Sequence, residues 1–195
     1  MENVLKILVP VDFSESAQRA YRLALSLTGE LGGELHLLHV IYPQMENIDE
    51  PLTSSQKATL AKKHVTEEKM RQFIKDGLAG KQENGLADRI HLHVGLGGAV
   101  AVIKSMVKEK KFDLIVIGTR TKHEKAENLL GTNASDVVGN VNCPVIVVPE
   151  SSEEKPIVKI AHALDTTWIK GEHLIRVIRL LWPLHREVHL PRQQR

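Results

Sequence analysis

The sequence predicts an α/β protein built on a doubly wound, five-stranded parallel sheet, followed by a partial β-α-β unit. Three observations carry this prediction. Short apolar runs alternate strictly with helical stripes over the first 150 residues, in the order β-α-β-α-β-α-β-α-β. Runs such as DLIVIG and PVIVV are apolar throughout, as in strands covered on both faces. Asp12, Val40, Gly95 and Gly118 all fall at the carboxyl ends of these runs, where such sheets bind ligands at the switch point in strand order.

The elements follow in order. LKILVPV, residues 5–11, is the first strand and ends at Asp12. Ser14 is placed to cap the next helix. Ala17, Ala20, Tyr21, Ala24 and Leu25 then form one buried stripe, which stops at Gly29, Gly32 and Gly33. ELHLLHVI, residues 34–41, is the second strand. Residues 42–56 read as a polar loop holding Pro43 and Pro51. The second helix carries Met70, Phe73, Ile74, Gly77 and Leu78 at helical spacing and fades at residues 80–85. RIHLHV, residues 89–94, is the third strand. A glycine turn leads into a third helix, whose stripe is Ala99, Val102, Ile103, Met106 and Val107. Residues 112–149 supply a strand, a long loop, the short helix TNASDVVGNV and a last strand.

That closing stretch has the form of an anion site. Its loop opens at Gly118 and closes at Gly131-Thr132, directly before a helix. Glycine admits close backbone approach, and the helix N-terminus presents unpaired N–H groups to an oxyanion. Arg120, Lys122, His123 and Lys125 add positive charge to the same loop.

Composition sets outer bounds. The chain has 195 residues, 42% hydrophobic and 26% charged, as in ordinary globular domains. No stretch is apolar enough to span a bilayer. MENVLKILVPVDF has no basic n-region and no small-residue cleavage site, so no signal peptide is expected. The single cysteine, Cys143, excludes an internal disulfide and fits a cytoplasmic location. Residues 151–195 hold 8 Lys/Arg and 5 Asp/Glu of the chain's 26 and 24, leaving 18 and 19 in the first 150. There is no basic face there to suggest nucleic acid.

Residues 151–156 read as a polar linker. A shift of 153 residues then lays Lys6, Ile7 and Asp12 on Lys159, Ile160 and Asp165, and Glu34, His36 and Leu37 on Glu187, His189 and Leu190. Leu174, Val177, Ile178, Leu181 and Trp182 form a helical stripe between them, ended by Pro183. Residues 157–195 are thus expected to be an incomplete second copy of the domain at 1–150.

Taken together, KILVPVDFSESA, ELHLLHVI, DLIVIGTR, LLGTNASDVV and CPVIVVP resemble the universal stress protein family. The resemblance implies an adenine nucleotide α-hydrolase-like, Rossmann-like fold. The family's nucleotide-binding branch carries G-x2-G-x9-G-[ST]. Here Gly118, Gly131 and Thr132 stand at that spacing, with Thr121 in place of the second glycine. The resemblance implies a stress-response module that binds ATP or a related adenine nucleotide, with or without Mg²⁺. On that pattern Val11 and Asp12 face ribose and adenine, and the backbone of Val40 meets the adenine edge. Gly118, Gly131, Thr132 and Asn133 hold the phosphates, and Arg120 and Thr121 lie in the covering loop. A homodimer through the last strand, residues 143–149, is expected as well. The alternative is a nucleotide-free dimeric interaction module of the same fold, favoured by the methyl group of Thr121.

Other signals are weaker. Gly95-x-Gly97-Gly98 fails the dinucleotide fingerprint, because Val100 stands at the sixth position. Neither a P-loop nor a spaced general base is present, so no enzyme is expected beyond slow ATP hydrolysis. His91 and His93 share a strand face, but spacing places no further ligands beside them, and no metal site is expected.

Overall fold

The computed structural model describes residues 4–42, 52–79, 85–120, 132–153, 159–161 and 187–189. It divides into two compact units, Met1–Ser152 and Glu153–Arg195, and the division falls inside the stretch read as a linker. The first unit is a five-stranded parallel sheet. In chain order its elements are β1 (Lys6–Pro10), α1 (Glu15–Leu31), β2 (Glu34–Ile41), α2 (Leu52–Leu78), β3 (Ile90–Leu96), α3 (Ala99–Lys110), β4 (Leu114–Thr119), α4 (Thr132–Asn140) and β5 (Val145–Pro149). Spatial order is β3-β2-β1-β4-β5, so the winding reverses between β1 and β4.

The apolar runs end up where their composition requires. Ile7, Leu8 and Val9 of the central strand β1 are fully buried, as are Leu35, Leu37, Ile115 and Val116 on its neighbours. Alternate residues face opposite sides. Leu8, Leu38, Ile115 and Ile117 meet Ile103 and Met106 of α3 and Ala134 and Val137 of α4 in one core. On the other side α1 packs against α2. The Tyr21 ring lies 5.5 Å from that of Phe73, and its hydroxyl donates to the Ile74 carbonyl at 3.4 Å. Gly77 makes this approach possible, since a Cβ there would sit 2.1 Å from Tyr21 Cε1. Burial pushes the Tyr21 phenol well above its usual pKa.

Two boundaries differ from the sequence reading by more than one residue. Helix α2 begins at Leu52, inside the stretch read as loop. Proline is tolerated at the start of a helix, and the 25 residues after Pro51 contain neither Pro nor Gly. Strand β3 continues through Gly95 and Leu96, which pair with Val40 and Ile41. Val102 of α3 occupies the space that a Gly95 side chain would need, with Cγ1 2.5 Å from an added Cβ.

The described part of the second unit is a parallel pair, β6 (Lys159–Ala161) and β7 (Glu187–His189). Its register is Lys159↔Glu187, Ile160↔Val188 and Ala161↔His189. Each pair lies 153 residues after its counterpart in β1–β2, namely Lys6↔Glu34, Ile7↔Leu35 and Leu8↔His36. Among the described residues, no helix is long and apolar enough to cross a membrane.

Candidate functional site

Reversal of winding between β1 and β4 opens a crevice at their carboxyl ends. Asp12 stands there, just past β1. Its Oδ1 accepts a hydrogen bond from the Ser14 N–H at 3.0 Å and a second from the Ser14 hydroxyl. Ser14 also caps α1, its Oγ accepting from the Ala17 N–H at 3.2 Å. One residue thus starts the helix and orients the carboxylate. The other oxygen, Oδ2, faces Arg120 Nη2 at 3.4 Å. Both side chains are open to solvent, Asp12 at 62% and Arg120 at 57% exposure, so an incoming hydroxyl or phosphate can reach either.

Between Asp12 and Ser14 the chain turns through Phe13 at a left-handed φ of 64°. The Phe13 ring packs on His39 at 4.5 Å and on Phe73 at 5.9 Å, which holds this uncommon conformation in place. No pattern in the sequence brings residues 13, 39 and 73 together. Their aromatic character was the sole available signal.

Val11 is buried. Its N–H donates to the Leu38 carbonyl at 2.8 Å, and its own carbonyl accepts from His39 Nδ1 at 2.6 Å. Its backbone therefore ties the end of β1 to β2. Val40 lies beyond the last β1–β2 pair, Pro10↔Leu38, and pairs with Gly95 on its other side. This sets Val40 beside the Asp12 turn, past the end of β1.

Gly118 has a structural task. An added Cβ would lie 2.3 Å from the Ser16 carbonyl oxygen and 2.7 Å from the Ala17 nitrogen. The first turn of α1 rests directly on β4 at this point. The missing side chain thus brings helix to sheet next to the crevice, in addition to any approach it allows a ligand.

Strands β4 and β5 are parallel, so α4 starts at the same end of the sheet. Thr132 opens that helix and Asn133 is exposed in its first turn, while Ala134 and Val137 anchor it in the core. Thr121 and Gly131 lie outside the described residues, as do Lys122, His123 and Lys125. The structure therefore gathers Val11, Asp12, Val40, Gly118 and Arg120 at one end of the sheet, with Thr132 and Asn133 entering from that end.

The sequence profile of the universal stress protein family matches residues 3–149. The chain belongs to this family. It is 28% identical over 149 residues to a universal stress protein of Methanocaldococcus jannaschii, covering 76% of this chain and 84% of that one. The solved universal stress protein of Lactobacillus plantarum superposes with a TM-score of 0.58 at 25% identity, over 76% of this chain and 99% of the other. A family member from Arabidopsis thaliana with AMP bound gives a TM-score of 0.51 at 20% identity, over 78% and 95% of the two chains, a likeness of fold.

Proposed function

We infer that this universal stress protein domain binds an adenine nucleotide in the crevice between β1 and β4 and acts as a stress-response regulatory module. The observation that carries the reading is the Asp12 carboxylate. Ser14 holds one of its oxygens at the switch point of the sheet, and the side chain stays open to solvent, as a ribose-binding acid requires. The AMP bound to the Arabidopsis relative supports the ligand class. ATP, with or without Mg²⁺, suits the opening of α4, where Thr132 and Asn133 put helix N–H groups at the same end. Arg120 then exchanges its weak contact with Asp12 for a phosphate. The module works by binding, with at most slow hydrolysis.

Titration of the purified chain with a fluorescent ATP analogue tests this. Saturable binding below millimolar nucleotide, weakened by Asp12→Ala, is the expected result. Absence of saturable binding with Mg²⁺ present refutes it. Phosphate release at more than a trace rate would replace the binding module with an enzyme.

A second reading has its own observation. Strand β5 lies at a sheet edge, pairs with β4 on one side, and carries four valine or isoleucine residues in a row. Such an edge favours pairing with a second copy. A nucleotide-free dimer is therefore the alternative, with Thr121 as its supporting residue. Affinity that appears only on Thr121→Gly would establish this alternative. A protein that stays monomeric at high concentration would remove it.

A further inference from the structure

The opposite end of the sheet carries a second cluster. Glu34 and His36 open β2 two residues apart, so both project from one face. His91, near the start of β3, is the register partner of His36. Glu34 Oε2 lies 3.3 Å from His36 Nε2 and 3.9 Å from His91 Nε2. One ligand atom from each of the three residues lies within 4.8 Å of the other two. In a tetrahedral shell with bonds of about 2.1 Å, neighbouring ligand atoms are ~3.4 Å apart. The Glu34–His36 spacing already matches this. His91, 42% exposed, has room to close the remaining gap.

The surroundings of His36 complete the arrangement. Its side chain is 8% exposed. Its ring stacks on His91 at 4.7 Å and on His93 at 5.2 Å, and meets the Phe112 ring edge-on at 5.0 Å. Nδ1 lies 2.9 Å from His93 Nε2. When Nδ1 carries the proton and donates it to His93, the Nε2 lone pair is left free on the side of Glu34. An outer hydrogen bond of this kind fixes tautomer and ring angle in metal-ligating histidines. The reverse tautomer donates from Nε2 to Glu34 and makes a closed ladder with no lone pair for an ion.

We propose that Glu34, His36 and His91 bind one divalent transition-metal ion of the zinc class, with a fourth position open to water and His93 positioning His36. Two imidazoles and one carboxylate suit such an ion, whereas magnesium and calcium prefer oxygen-only shells. Glu34 at 34% exposure and His91 at 42% leave an entry from solvent. Lys110, which ends α3, adds a repelling charge and lowers the affinity. The site is separate from the nucleotide crevice, lying at the amino ends of β2 and β3.

Calorimetric titration of the untagged, metal-free chain with zinc chloride tests the proposal, with Co²⁺ absorption as the geometric readout. One equivalent of zinc and the visible bands of four-coordinate Co²⁺ are expected. Glu34→Gln and His91→Asn each weaken zinc binding by about ten-fold or more, and His93→Gln by about ten-fold. Both ligand residues are partly exposed, so melting of the metal-free variants stays near that of the parent. His64→Ala on the exposed side of α2, and Asp12→Ala in the crevice, leave zinc binding unchanged. Substoichiometric binding overturns the proposal. So does an affinity that survives Glu34→Gln and His91→Asn together, or one that falls with Asp12→Ala.

Discussion

The two ends of the sheet place their polar groups by different means. At the carboxyl end Asp12 and Arg120 come from the segments that follow β1 and β4, and both stand more than half exposed. At the amino end Glu34, His36 and His91 sit on the strands themselves, and His36 is almost wholly covered. Strand register positions the second group, while turns and helix starts position the first. Loops tolerate change and carry binding, whereas a register holds geometry tightly and changes rarely. On the proposed functions, ligand choice at the carboxyl end follows loop sequence. At the amino end it follows the three or four side chains alone.

The largest expected effect breaks the support of the carboxyl end. Gly118→Ala places a methyl group against the α1 backbone and costs about 3 kcal/mol, read by chemical denaturation. Gly29→Ala, inside α1 where the added atom meets nothing within 4 Å, serves as its control and stays at or slightly above the parent. Next is Asp12→Ala, which lowers adenine nucleotide affinity about ten-fold through loss of charge-assisted hydrogen bonds. Its melting temperature changes little.

A third prediction sharpens the amino end. Burial, with His36, Lys110 and His91 nearby, lowers the His93 pKa to about 4 from an ordinary 6.5. Burial also lowers that of His36, against the opposing pull of Glu34. In the unfolded chain both rings take up protons near pH 6.5, while the folded protein resists. Unfolding is therefore favoured as pH falls, and metal-free stability declines from about pH 6.5 toward pH 4. Denaturation midpoints across this window check it, and His93→Gln flattens the decline. Smallest of all is Arg120→Ala. An exposed pair at 3.4 Å contributes well under about 1 kcal/mol, so stability is unmoved while nucleotide affinity falls.

Much of the fold was legible because its signals are local. Apolar runs such as Ile7–Leu8–Val9 and the α1 stripe through Tyr21 need no knowledge of distant residues. Asp12 could be placed at a strand end for the same reason. Its partner could not, since Arg120 lies 108 positions away in sequence. In the sequence Gly118 marks a place of close approach for a phosphate. Its packing against Ser16 depends on where α1 crosses β4, which no local pattern specifies. The histidines show the same boundary. E-x-H in β2 and H-x-H in β3 are each visible, and an alternating strand puts the members of each on one face. That His91 rather than His93 lies opposite His36 follows from the β2–β3 register alone.

The matched pairing in the two units has a consequence for how each opens. Lys6 and Glu34 are 28 positions apart, and so are Lys159 and Glu187. Chain-closure entropy depends on that length, so both pairings cost nearly the same to form. They differ in reinforcement. β1 and β2 are clasped by β4 and β3 on their outer sides, while β6 and β7 make a two-stranded sheet among the described residues. Each of these two strands has one described partner where β1 and β2 each have two, and a two-stranded sheet is the weaker arrangement. Amide hydrogens of Ile7 to Val9 should thus exchange with deuterium only when the whole domain unfolds. Those of β6 and β7 should exchange through local separation, orders of magnitude sooner, although the same spacing closes both.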